Sequence, residues 1–213
     1  MKEKQETLKD QKTLLGKFWF VVWRDNSFKG WVISMIFLIV IIRGIFFPLL
    51  SLATGTSLPL VIVESCSMYH DGNIMSDFES WWTRHEVKYF EKEINENQFL
   101  SFPFKNGLNK GDILFVTGTK PENIELGDII IFDSGGGTPI IHRVIEINLE
   151  DGEYFFSTEG DNNNGQLGVE KRIQENQIVG IPRANILPYV GWIKLILFES
   201  TRSDSQKGFC SEN

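Results

Sequence analysis

GDILFV (111–116), GDIIIF (127–132), PIIHRVIEI (139–147), EYFFST (153–158) and QIVGIP (177–182) follow one another with Gly, Asn, Pro and short polar runs between them. Each is a short run rich in Ile, Val and Phe, bounded by residues that favour turns, which is the signature of a β-strand. No helical periodicity intervenes between them, so the expected fold is mainly β, an antiparallel sheet or barrel-like arrangement. Upstream, LPLVIVESCSM (58–68) begins as another buried strand and turns abruptly polar, which puts Ser65 and Ser67 at a strand exit.

The segment between 68 and 111 reads differently. Ser76 and Glu79 have capping-box spacing, and Phe78, Trp81, Trp82, His85 and Tyr89 recur at helical intervals, so 76–94 is expected as a helix inserted into the β domain. Trp81 and Trp82 are read as packing residues, and His85 as packed rather than catalytic.

From Lys29 to Glu64 the only charge is Arg43, and Trp31 to Leu50 matches the roughly 20 apolar residues that cross a bilayer. The segment starts too far from the N-terminus, and continues apolar for too long, to read as a cleaved leader. It is expected to be a retained, single transmembrane anchor spanning about 30–52. TLLGKFWFVVWR (13–24) before it reads as an interfacial helix. The chain carries a formal net charge of −7, yet residues 1–30 hold seven Lys and Arg against four Asp and Glu. That asymmetry places 1–29 in the cytoplasm and the acidic remainder, 53–198, outside the cell membrane, by the positive-inside rule. The acidic balance removes nucleic acid from the expected partners and leaves the lipid bilayer as one. Residues 199–213 are expected to form a disordered tail, and ILPYVGWIKLILF (186–198) is apolar without settling whether it enters the membrane.

Two cysteines, Cys66 and Cys210, stand far apart in the chain and do not define a disulfide framework. With His70, His85 and His142 they make no metal-ligand spacing, so neither a metal nor a cofactor is expected. For catalysis the polar candidates are Ser65 and Ser67 at the strand exit, His142 within an apolar strand and Asp161 in EGDNNNGQ. A serine nucleophile needs a base, and a histidine base works best when a carboxylate fixes its tautomer. Arg143, next to His142, points to the opposite strand face and reads as a surface or structural residue. Lys110 and Lys120 sit in polar, loop-like contexts that do not favour a lysine base. Asp112 and Asp128 follow glycines at strand starts and read as turn stabilisers.

The ordered set of short motifs carries more than any one of them. Ser65-Cys66-Ser67-Met68, the Gly-Asp pairs at 111–112 and 127–128, Ile141-His142-Arg143-Val144 and Gly160-Asp161-Asn162-Asn163, followed by Pro188-Tyr189-Val190-Gly191, resemble the boxes of the signal peptidase I family in their order. The histidine box resembles that family's archaeal and endoplasmic-reticulum type. The resemblance implies a signal-peptidase-like antiparallel β domain behind an N-terminal membrane helix, and a membrane-bound serine endopeptidase acting on signal-peptide-bearing preproteins. It implies Ser67 as nucleophile, His142 as general base, Ser65 Oγ with the Ser67 backbone N–H as the oxyanion hole, and Asp161 as the carboxylate that orients His142. Two departures stand out: Cys66 replaces the usual glycine, and Gln166 and Leu167 stand where endoplasmic-reticulum members carry a further acid. Glu170 is therefore the fallback carboxylate. The alternative reading is a catalytically inactive, membrane-tethered binding protein with the same fold; partner subunits are not legible.

Overall fold

A computed structural model describes residues 13–71, 78–201 and 207–211. The chain divides into two compact units, Met1–Ala53 and Thr54–Asn213.

In the first unit, α1 (Leu14–Trp23) leads into the 27-residue apolar helix α2 (Phe28–Thr54). Asp25 Oδ1 accepts from the Ser27 N–H at 2.8 Å, and Ser27 Oγ caps the Gly30 N–H at 3.1 Å, which turns the chain between the helices. α1 then runs back along α2, with Phe18 edge-on to Phe37 at 5.2 Å and Ser34 Oγ donating to the Val22 carbonyl at 2.7 Å. Gly30 permits the approach, since a Cβ there would lie 2.5 Å from the Asp25 oxygen. A π turn interrupts α2 at Ile42–Phe46, around Arg43 and Gly44. A 27-residue helix is about 40 Å long, enough to cross a bilayer, and none of its most apolar stretch is buried within the molecule.

The second unit is built on one antiparallel sheet of seven strands. In chain order these are β1 (Leu60–Ile62), β2 (Ile113–Thr117), β3 (Ile129–Phe132), β4 (Ile140–Glu150), β5 (Glu153–Glu159), β6 (Ile173–Gln174) and β7 (Ile178–Leu187). Their order in the sheet is β1-β2-β7-β3-β4-β5-β6. The fold is mainly β, as the strand signals predict. Central β3 is buried along its whole length: Ile129 and Ile131 join Val63, Met68, Leu108, Leu114 and Val116, while Ile130 and Phe132 join Val144, Phe156, Ile173 and Ile181. Strand alternation thus feeds two separate apolar layers.

A third apolar layer comes from α3 (Phe78–Phe90) and the one-turn α4 (Glu96–Leu100). Trp81, Trp82 and Tyr89 pack with Ile94, Phe99, Phe102 and Ile145 of β4. The helical insertion exists where the aromatic spacing puts it; its expected cap, Ser76, lies outside the described residues. α5 (Trp192–Phe198), seven residues long, is far too short to span the roughly 30 Å of hydrocarbon, and it buries Leu195 while exposing Ile193, Ile196 and Leu197.

Candidate active site

The polar turn that follows β1 is fixed at both ends. Val63 and Met68 are buried in the apolar core, leaving Ser65 exposed and Ser67 half-buried between them. Their hydroxyl oxygens lie 3.1 Å apart. The loop after β5 holds this turn from the other side. The Asn162 backbone N–H donates to the Ser67 carbonyl at 2.8 Å, and Asn162 Nδ2 donates to the Cys66 carbonyl at 3.0 Å. Gly160 lies so close that a Cβ would sit 2.8 Å from the Ser67 oxygen, so the approach requires glycine.

Strand register brings His142 to the same place. β4 and β5 pair Arg143 with Glu159, so His142 lies level with the end of β5, where Gly160 meets the serine turn. His142 is 3% exposed, and its Nδ1 is hydrogen-bonded to Glu170 Oε1. Glu170 sits in a 3-10 turn (Gly168–Glu170) after the β5 loop, fully buried; its second oxygen accepts from the Leu167 N–H at 2.6 Å, and Thr158 Oγ1 donates to Oε1 at 3.3 Å. No hydrogen bond joins Ser67 Oγ to His142 among the described residues; such contacts often close only when substrate is bound.

Asp161 is not hydrogen-bonded to His142. It lies on the other side of β4, and the alternation of the strand is the reason: residues 142 and 144 face one apolar layer, whereas Arg143 and Ile145 face the layer built by α3. Asp161 Oδ1 accepts from Tyr89 OH at 2.9 Å and Arg143 Nε at 2.9 Å, and Oδ2 accepts from Arg143 Nη2 at 2.6 Å and His70 Nε2 at 2.9 Å. Four donors occupy the roughly four lone-pair positions of a carboxylate, which leaves none for a further imidazole. Burial opposes ionisation of Asp161, but the Arg143 charge and the donated hydrogen bonds outweigh it, so its carboxyl is held far below the usual range.

The remaining donors of Arg143 go to the carbonyls of Pro103, Gly127 and Phe104 at 2.9 to 3.1 Å. Arg143 is fully buried, so of the two roles open to it the structural one is taken and the surface one is not. Burial lowers the affinity of His70 for a proton and prevails over its bond to Asp161. Its ring stacks on Trp81 at 3.6 Å, and His85 stacks at 4.6 Å from the same indole while donating through Nδ1 to the Trp81 carbonyl. Lys88, reaching across from α3, donates to the carbonyls of Gly160, Asp161 and Asn163 at 3.0, 2.6 and 3.1 Å. His70 and Lys88 had no sequence signal beyond the helical phase of Lys88 next to Tyr89.

Other sequence-level expectations resolve locally. Asp112 accepts from the Asn109 and Tyr189 N–H groups and Asp128 from that of Glu125, each at a turn. Lys110 is buried rather than solvated, with Nζ 3.0 Å from Glu199 Oε1 and 4.7 Å from the Trp192 ring. Cys66 and Cys210 form a disulfide with Cα atoms 5.3 Å apart, so the two cysteines are paired despite their separation in the chain. Residues 207–211 of the expected disordered tail are accordingly tied to the serine turn. Among the described residues no group of three or more His, Cys, Asp and Glu side chains is placed to hold a metal ion.

The mainly β unit thus brings a serine pair and a buried histidine–carboxylate pair toward the end of one sheet. No protein-family model matches the chain. Over 105 residues it is 35% identical to the signal peptidase complex catalytic subunit SEC11C of Homo sapiens, covering 46% of this chain and 54% of the relative. It is also 32% identical over 108 residues to the signal peptidase complex catalytic subunit SEC11 of Clavispora lusitaniae and 28% identical over 113 residues to that of Yarrowia lipolytica. These alignments cover 47% of this chain and 64% and 62% of the two yeast proteins. The chain thus spans little more than half the length of the curated relatives it matches. Over about half of its length, and at modest identity, the chain is similar to catalytic subunits of signal peptidase complexes.

Proposed function

We propose that this protein is a membrane-bound serine endopeptidase that removes signal peptides from exported preproteins at the outer face of the cell membrane. The observation that carries the proposal is the buried His142–Glu170 pair set level with the Ser65–Ser67 turn across Gly160. The relatives, named as catalytic subunits of signal peptidase complexes, support the substrate class.

In this reading Glu170 accepts the Nδ1–H of His142, which leaves Nε2 free of its proton and able to act as base. His142 takes the Ser67 hydroxyl proton as Oγ attacks the scissile carbonyl, then returns it to the leaving amine. The Ser67 N–H and the Ser65 hydroxyl, 3.1 Å from Ser67 Oγ, stabilise the tetrahedral oxyanion. Glu170 thus takes the orienting role that the motif resemblance gives to Asp161, and Asp161 with Arg143 and Lys88 holds the loop that positions the serine turn.

Membrane anchoring is supported by the length and apolar character of Phe28–Thr54 and by the basic excess before it. The Cys66–Cys210 disulfide fits an oxidising compartment outside the cytoplasm. The test is cleavage of a model preprotein in detergent by wild type beside Ser67→Ala, with product N-termini sequenced. Cleavage at the signal-peptide junction by wild type alone is expected; binding without cleavage by both would favour an inactive tethered binding protein.

A further inference from the structure

The family resemblance puts glycine where this chain has Cys66, directly before the serine proposed as nucleophile. That residue is covalently joined to Cys210, 144 positions later, and the joined segment is held at several other points. Asn162 Nδ2 bridges the two sides, donating to the Cys66 carbonyl and to the Ser211 carbonyl, each at 3.0 Å. The Gly208 carbonyl accepts from buried Lys110 Nζ at 3.0 Å, while the Gly208 N–H donates to Glu199 Oε1 at 2.6 Å. Phe209 lies against the Trp192 ring at 4.9 Å. Residues 207–211 therefore form a strap that is seated on the body of the unit and bonded to the serine turn.

We infer that the Cys66–Cys210 disulfide positions the Ser67 nucleophile, making Cys66 and Cys210 positioning residues for the reaction proposed above. Between the buried side chains of Val63 and Met68 the turn is four residues long; Asn162 holds its Cys66 and Ser67 carbonyls, and Lys194 reaches Glu64. The disulfide adds a covalent restraint at the residue adjoining the reacting hydroxyl. A displacement of about 1 Å at a reacting group costs on the order of a hundredfold in rate, so even partial slackening of this turn is measurable. The strap restrains the backbone of the turn and contributes no group to the chemistry, so its loss acts on kcat and leaves KM nearly unchanged.

The experiment compares the full chain in detergent in its oxidised form, after reduction with a phosphine, and as Cys210→Ser and Cys66→Ala. Peptide mapping without reductant first establishes the Cys66–Cys210 linkage, and its absence from the non-reduced protein overturns the inference. Expected is a fall in kcat of about tenfold to a hundredfold in all three altered forms, with KM within about twofold of the oxidised protein. Amide hydrogen exchange is followed in parallel, and the peptide covering 64–69 is expected to exchange faster in each altered form while β3 stays as protected as before. An unchanged or increased kcat, or unchanged exchange at 64–69, overturns the positioning role. Should no form cleave a preprotein, the proposed peptidase function fails, and exchange at 64–69 alone then decides whether the disulfide fixes the turn.

Discussion

Replacing Glu170 by Gln and Asp161 by Asn, one at a time, separates the two carboxylates that the sequence offers His142. Glutamine keeps the size of Glu170, and its carbonyl oxygen can still accept from the Leu167 N–H now bonded to Oε2 at 2.6 Å. Its amide NH2 then faces His142 Nδ1, which must accept rather than donate. The imidazole proton moves to Nε2, and the nitrogen proposed to receive the Ser67 proton is blocked. In serine triads the wrong tautomer costs about 10⁴ in kcat, roughly 5.4 kcal/mol of transition-state stabilisation. The folding cost should be only about 1 kcal/mol, since the hydrogen bonds are largely replaced. Asp161→Asn acts in the opposite way. It leaves the Arg143 guanidinium fully buried without its counter-charge, which costs about 3–5 kcal/mol. For a unit of this size that is a fall in melting temperature on the order of 10 °C. Initial rates on a model preprotein, together with calorimetry of the same samples, read both effects. A 10⁴-fold loss of kcat in Asp161→Asn with an unchanged melting temperature, beside a nearly active Glu170→Gln, would refute the reasoning.

Three further outcomes are expected. Burial holds His70 below the ordinary imidazole value, so the unfolded chain binds a proton that the folded chain resists; the contribution is present above about pH 6.5 and is lost as pH falls toward the folded value. The melting temperature should therefore drop on acidification below that point, and His70→Gln should flatten the drop. Lys88→Met removes three donated bonds to the 160–163 loop and should cost roughly 2 kcal/mol in denaturant unfolding. Protease protection in sealed vesicles should find residues 1–28 on the cytoplasmic side and Ser67 on the other, as the charge bias flanking Trp31 to Leu50 requires.

What the residues determined alone was local. Ile-rich runs bounded by Gly and Asn set β2, β3, β4, β5 and β7, the aromatic phase within 76–94 set α3, and an almost uncharged run set α2, because each depends on the period or composition of a single segment; the two-residue β6 carried no such signal. Alternation also put His142 and Arg143 on opposite faces of β4. What lay on each face was decided by tertiary structure. Asp161 and Glu170 are both acids within one loop, and nothing in their spacing says which of them meets His142. The choice follows from Arg143, Tyr89 and His70, contributed from three other places in the chain, which fill every acceptor position of Asp161, while the turn at Gly168–Glu170 carries Glu170 back to the His142 side. Burial of Lys110 and pairing of Cys66 with Cys210 were likewise beyond local reading, because a salt bridge or a disulfide between distant residues exists only once the sheet has brought their backbones together.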